Sequence, residues 1–302
     1  MDAVYLQHPP ALRSPIFVMA FAGWNDAAES ATLAARYLVD RLGGERFAAI
    51  PPDDFFQFSD QRPTVRLDEA GQRQITWPAN EFYFCRPAHL PRDLVVGVGI
   101  EPHLQWGRFG RSILEIARRC RVEMAVTLGA FLAGESHTGP VPTISLATDP
   151  GLVAHMDIER SRYEGPTGIV GVLHSLMQDE RVPAVSLWAS VPHYIAALPN
   201  PKASLALLGR LRELCRLPLD LGDLEHSAAN FDRQVEDAIS QDPKIARYVS
   251  QFQESGEVDP EEEAEGEDAL PGEPAEELPP GEQIADEIER FLRRRKSGPE
   301  EQ

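Results

Sequence analysis

Four short apolar runs constrain this chain more than anything else in it: "IFVMAFA" (16–22), "LVVGVGI" (94–100), "VEMAVTL" (122–128) and "PAVSLWA" (183–189). Each is largely apolar, too short for a buried helix and rich in β-branched or small residues. This is the pattern of strands covered on both faces. Stretches of helical periodicity separate them, at 27–42, about 108–121 and after Gly168. Strands alternating with amphipathic helices predict an α/β fold with a mainly parallel sheet between two helical layers.

Weaker signals fill the gaps. Phe47–Ile50, Phe82–Cys85 and "VPTISLA" (141–147) read as further strands. Residues 51–86 differ in character, and "TVRLDEAGQRQITW" alternates on both sides of Glu69-Ala70-Gly71-Gln72, which predicts an antiparallel hairpin inserted in the core. From about residue 201 to 253 the pattern is helical throughout, so the chain divides into an α/β core (1–200) and a helical portion. Residues 254–280 form an acidic segment with prolines, glycines and little to bury, which predicts disorder. At 281–296, "GEQIADEIERFLRRRK" places Ile284, Ile288, Phe291 and Leu292 on one face of a short amphipathic helix.

The net charge of −19 over 302 residues is misleading by itself, because 13 of those excess negative charges lie between Glu254 and Glu282. The remainder is mildly acidic, which excludes a surface built to displace counterions from nucleic acid. Cys85, Cys120 and Cys215 are odd in number and widely spaced, giving neither a disulfide framework nor a thiolate metal site. No apolar run reaches the ~20 residues of a membrane span, and no basic-then-apolar leader opens the sequence. A cytoplasmic protein is the expectation.

Parallel sheets present ligands with the crevice beyond the carboxyl ends of their strands. Here the strand ends carry Trp24, Asn25 and Asp26; Glu101 and His103; His137 and Thr138; and His193 and Tyr194. Glu101, His137 and His193 are the candidate catalytic residues, since a carboxylate with neutral imidazoles can exchange protons near pH 7. "YEGPTGI" contributes Tyr163 and Thr167 beside a helix start that could cradle an anion. Each has a structural alternative: Asp26, followed three residues later by Glu29, fits a capping box, and Trp24 fits a lid over the helix start. No nucleophile elbow, phosphate loop or dinucleotide fingerprint is present, and the spacing of these residues matches no metal-ligand pattern.

Five stretches in fixed order carry a resemblance: "GWNDAAESA", "GIEPHLQWGRF", "LGAFLAGESHTGPVP", "YEGPTGIVGVLHSL" and "SLWASVPHYIAALPNPKASLALL". Together, across about residues 3–250, they resemble the bacterial, particularly actinobacterial, branch of the PAC2 family, named for a proteasome assembly chaperone. The resemblance implies a three-layer α/β/α sandwich of the phosphorylase/hydrolase-like kind with a helical C-terminal portion. It implies a homo-oligomer, trimers being among those described, and relatives that assemble or activate proteasomes. The expected function is therefore a non-catalytic chaperone or adaptor whose acidic tail and terminal helix reach a protein partner. The alternative is a small-molecule enzyme, either an ATP- and Mg-dependent carboxylate-amine ligase or a nucleoside phosphorylase or hydrolase. Two departures bear on this choice. His137-Thr138-Gly139-Pro140 has glycine where relatives often carry arginine, which removes the best fork for an anionic substrate. The sequence ends in "GPEEQ" rather than in a hydrophobic-Tyr-x docking tail.

Overall fold

A computed structural model describes residues 5–6, 11–147, 150–155, 158–160, 164–196, 199–241 and 243–255. In chain order the elements are β1 (Tyr5–Leu6), β2 (Ile16–Ala22), α1 (Ser30–Arg41), β3 (Glu45–Ile50), β4 (Thr64–Leu67), β5 (Arg73–Thr76), β6 (Asn80–Cys85) and β7 (Leu94–Ile100). Then follow α2 (Trp106–Arg119), β8 (Met124–Ala133), β9 (Thr143–Ala147), α3 (Pro150–His155), β10 (Glu159–Arg160), α4 (Ile169–Asp179), β11 (Ala184–Pro192), α5 (Pro201–Cys215), α6 (Gly222–Gln241) and α7 (Pro243–Ser255). The acidic segment from residue 256 onward and the terminal helix expected at 281–296 lie outside the described residues.

Nine strands form one sheet in the order β1-β3-β6-β7-β2-β8-β11-β9-β10. The four apolar runs are its four adjacent central strands, β7-β2-β8-β11, all parallel. Antiparallel strands flank them: β6 pairs β7 on one side and β9 pairs β11 on the other. Continuous burial of β2 has a direct cause, because its alternate residues enter two different cores. Ile16, Val18 and Ala20 meet α1 and α5 on one face, with Ala31, Ala34, Leu38, Leu207 and Leu211. Phe17, Met19 and Phe21 meet α2 and α4 on the other, with Phe109, Ile113, Ile169 and Leu173. Phe109 stands edge-on to Phe21 at 5.9 Å and to Phe55 at 5.5 Å between ring centres. Each such side chain, fully buried, contributes about 1.5–3 kcal/mol. The result is a three-layer α/β/α sandwich.

The helices after β11 are packed onto this core. α5 contributes Leu207, Leu208 and Leu211 to the first core, and α6 and α7 enclose Tyr194 and Ile195 with Phe231, Val235, Ile245 and Val249. All three cysteines are buried, and burial raises each thiol to about 12, which keeps them protonated and unreactive.

Candidate functional site

The carboxyl ends of the parallel strands are organised by the turn after β2. Gly23 takes φ +128, a conformation open to glycine, and sits against the Glu101 side chain. The chain then runs on beside β8: the Asn25 carbonyl accepts from Ala130 N at 2.9 Å, and Asp26 bridges Ala130 in parallel register. Because the chain leaves β2 first toward β7 and returns across it to β8, the gap between β2 and β8 is the crevice where an open α/β sheet takes a ligand. Here the protein's own backbone closes it.

Ala28 and Glu29 next adopt left-handed conformations, φ 52 and 49, at a cost of roughly 1–2 kcal/mol each. This displaces the start of α1 to Ser30. The reciprocal Asp26–Glu29 capping box expected from the sequence therefore does not form. Asp26 instead reaches across the kink and accepts from Ala31 N at 2.7 Å, Thr32 N at 3.2 Å and Thr32 Oγ1 at 2.5 Å. It still caps α1, from three residues further back than an ordinary N-cap. Burial raises its pKa, and the bonds from Thr32 and Ala31 oppose that rise.

Glu101 is held in the same knot. Its Oε1 accepts from Asn25 Nδ2 at 3.0 Å and from Ile169 N, the first amide of α4, at 2.7 Å. The helix start that could have cradled an external anion is thus occupied by the protein's own carboxylate. Gly168 makes room for this: a Cβ there would lie 2.4 Å from Asn25 Nδ2 and 2.8 Å from Glu101 Oε1. The turn also reaches α5, since Asn200 N donates to Ala28 O at 2.9 Å and Ser204 Oγ to Ser30 O at 2.7 Å. The turn and Glu101 together thereby tie down the first turns of α1, α4 and α5.

The histidines occupy other surroundings. His137 N donates to Tyr194 Oη at 2.8 Å, and the Tyr194 hydroxyl and His137 Nδ1 share a hydrogen bond at 2.9 Å. Burial, then the Lys202 charge, lowers the His137 pKa and keeps the ring neutral. Burial pushes the Tyr194 hydroxyl up to about 12. Lys202 Nζ donates to His137 O at 2.6 Å and pairs with Asp232 at 3.0 Å. His193 Nε2 bonds the Tyr248 hydroxyl at 2.7 Å, joining the end of β11 to α7. His103 Nδ1 accepts from Gln57 N at 3.1 Å, and Thr138 Oγ1 bonds Ser136 Oγ at 2.8 Å. Thr167 precedes α4, and Tyr163 lies outside the described residues.

Glu101 and His103 line an open cleft of about 430 Å³ with Asp60, Gln61 and Trp106. His137 lines a separate cavity of about 10 Å³ with Ser190 and Lys202, too small for any substrate. Among the described residues no three of His, Cys, Asp and Glu stand close enough to hold a metal ion. No described helix is long and apolar enough to cross a membrane.

Trp24 is the exception to all this engagement. It is 67% exposed, so it is not the packed lid that its position allowed. Leu104, Phe131 and Leu132 are exposed at neighbouring strand ends. The sequence reading passed over Asn200, whose side chain accepts from Lys202 N and Ala203 N at the start of α5. The signal was there, in an asparagine followed by proline.

Comparison with known proteins agrees with this architecture. No curated protein matches the chain. A PAC2 family protein of Streptomyces avermitilis is 44% identical, covering 78% of this chain and 99% of that one, with a TM-score of 0.72. A proteasome-assembly chaperone homologue of Mycobacterium tuberculosis is 35% identical over the same shares, with a TM-score of 0.70. An archaeal proteasome activator of Pyrococcus furiosus, PbaB, has the same fold at 18% identity and a TM-score of 0.63, covering 78% of this chain and 99% of that one. The family model for PAC2 matches residues 20–239, and the chain belongs to the PAC2 family.

Proposed function

We propose that this protein is a non-catalytic, homo-oligomeric assembly factor of the cytoplasm that handles subunits of a proteasome-type particle. The observation that carries the proposal is the closed crevice. The residues best suited to chemistry at the strand ends, Asp26 and Glu101, are committed to the starts of α1 and α4, and Asn25 is committed to Glu101. What faces solvent there includes exposed apolar side chains, headed by Trp24, beside the polar lining of the open cleft at Glu101 and His103. A surface whose carboxylates at the helix starts are internally bonded and whose aromatic Trp24 is exposed fits recognition of protein rather than conversion of a small molecule. The 35% identical proteasome-assembly chaperone homologue supports the choice of partner. On this reading the acidic segment and the amphipathic stretch after it form a second, partner-facing arm.

The test mixes the purified chain with separately purified proteasome α- and β-subunits from the same organism and follows assembly by native mass spectrometry. Faster appearance of complete particles, or intermediates carrying this chain, is expected. Trp24→Ala should weaken the effect without lowering the melting temperature, and truncation after Glu254 should weaken it further. No binding at tens of micromolar and no change in assembly rate would sink the proposal, as would turnover of ATP or a nucleoside by the isolated protein.

A further inference from the structure

The open cleft at Glu101 lies on the other side of β2 from the closed crevice. It is framed by the ends of β2 and β7, the start of α2 and the loop 57–61. Its walls are tied to one another. Glu101 N donates to Ala22 O at 2.9 Å, His103 N to Phe55 O at 2.8 Å, and Gln57 N to His103 Nδ1 at 3.1 Å. Asp60 N and Gln61 N both donate to Gln57 O, which closes the loop that carries Asp60. At about 430 Å³ the cleft falls within the size range of small-ligand sites.

What the cleft offers is negative charge beside an aromatic wall. Glu101 caps α4 through Oε1 alone, and among the described residues nothing donates to its Oε2. The bare backbone of Gly23 leaves room there, since a Cβ would lie 3.5 Å from that oxygen. The exposed Asp60 carboxylate accepts from Ser59 Oγ at 3.2 Å and forms no ion pair among the described residues. No lysine or arginine lines the cleft, and Arg108, in the same turn as Trp106, pairs with Asp54 at 2.8 Å. His103 accepts at Nδ1, so its ring is neutral with the proton on Nε2. Trp106 donates its indole N–H to Pro102 O at 2.5 Å, so it presents the cleft with ring rather than with a donor.

We infer that this cleft binds an organic cation, an alkylammonium or guanidinium group carried on an aliphatic stem. The carboxylates of Glu101 and Asp60 pair with the charge, while the Trp106 ring attracts the cation and covers the stem. An anion would meet two like charges. A metal ion would lack ligands, because among the described residues no three of His, Cys, Asp and Glu stand close enough to hold one. Such a cation has two sources, a free amine and the lysine or arginine side chain of a protein, and the experiment separates them. The site goes beyond the assembly-factor reading and does not rest on it.

Ligand-observed NMR titrations of the full chain use three probes. They are agmatine, lysine blocked at both backbone ends, and norleucine blocked in the same way, which keeps the stem and loses the charge. The two cations are expected to bind and norleucine is not, and the binding should weaken as salt rises from about 50 to about 500 mM. Glu101→Gln keeps an acceptor for Asn25 and Ile169 and should weaken cation binding by about 10-fold or more; the exposed Asp60→Asn should weaken it about 3-fold. Glu69→Gln, on the exposed hairpin turn, removes the same charge outside the cleft and should change nothing. Tighter binding of agmatine assigns a free amine as the occupant and tighter binding of blocked lysine assigns a protein side chain; either supports the site. No binding of either cation at about 20 mM overturns the inference. So does norleucine that binds as well as lysine, or an affinity that both Glu101→Gln and Asp60→Asn leave unchanged.

Discussion

Glu101 offers the sharpest test of whether the strand ends serve structure or chemistry. Replacing it by alanine removes the acceptor for two donors, Asn25 Nδ2 and Ile169 N. Asn25 is only 3% exposed and Ile169 is fully buried, while Glu101 itself is half-buried beside an open cleft, so water can replace the carboxylate only in part. An unsatisfied buried donor costs about 1–3 kcal/mol, giving about 2–5 kcal/mol for the pair once partial relaxation is allowed. Glutamine keeps an oxygen in the same place and loses only the charge assistance of those bonds, about 1 kcal/mol. For a chain of this size each kcal/mol moves the melting temperature by about 2–4 °C. Glu101→Ala should therefore melt about 5–15 °C below the wild type, and Glu101→Gln within about 4 °C of it, by calorimetry at pH 7. Gly168→Ala should resemble the alanine variant, because its Cβ must displace Asn25 or Glu101. A Glu101→Ala protein melting within 1 °C of wild type would refute the capping argument. So would a glutamine variant as damaged as the alanine one, since that would mean the charge itself is what matters.

Two further outcomes follow from pH. Burial lowers His174 to about 4, against an ordinary 6.5, while its Nε2 bonds Thr127 Oγ1 at 2.8 Å inside the core between α4 and β8. The folded state resists protonating it, so stability is lost as pH falls from 6.5 toward 4, by on the order of 3 kcal/mol. Urea titrations at pH 7 and pH 4.5 should show this loss in the wild type and a much smaller one in His174→Gln; equal losses would exclude His174 as the cause. Asp26 has the opposite sign for its class: its pKa is raised by burial, so its contribution is greatest below 3.8 and declines as pH rises through the raised value. Asp26→Asn keeps an acceptor for Ala31 N and Thr32 N, and its stability relative to wild type should improve between pH 4 and pH 7; a constant difference across that range would contradict the burial argument.

Much of the fold was legible because its central strands are buried on both faces. Ile16–Ala22 needs no partner to be recognised, since both sides of the strand must be apolar. The antiparallel flanks were not legible in the same way. The strands expected at Phe82–Cys85 and 141–147 are there, as Asn80–Cys85 and Thr143–Ala147, but their direction follows from where the chain returns to the sheet, which no local pattern records. The start of α1 was misplaced because nothing in Ala28-Glu29 announces two left-handed residues in succession. At the strand ends the sequence showed which polar residues gather, and not what they hold. Glu101 meets Asn25 from 76 residues away and Ile169 from 68, and only the folded chain turns those separations into one knot. The hairpin was plain from its alternation, whereas the exposure of both its strands depends on what the rest of the chain leaves uncovered.

The convergence of α1, α4 and α5 on one turn has an electrostatic consequence. Each helix brings the positive end of its macrodipole to the same end of the sheet, worth roughly half an elementary charge apiece. Left bare, such a junction would attract phosphate or carboxylate groups. Asp26 on α1 and Glu101 on α4 set a negative charge against two of these ends, and the neutral Asn200 side chain covers the third. The protein thus meets its surroundings at this end with its fields largely cancelled from within. Beside the open cleft lined by Asp60, Gln61 and His103, a passing molecule meets exposed apolar side chains and little net positive charge, which offers little to a small anion.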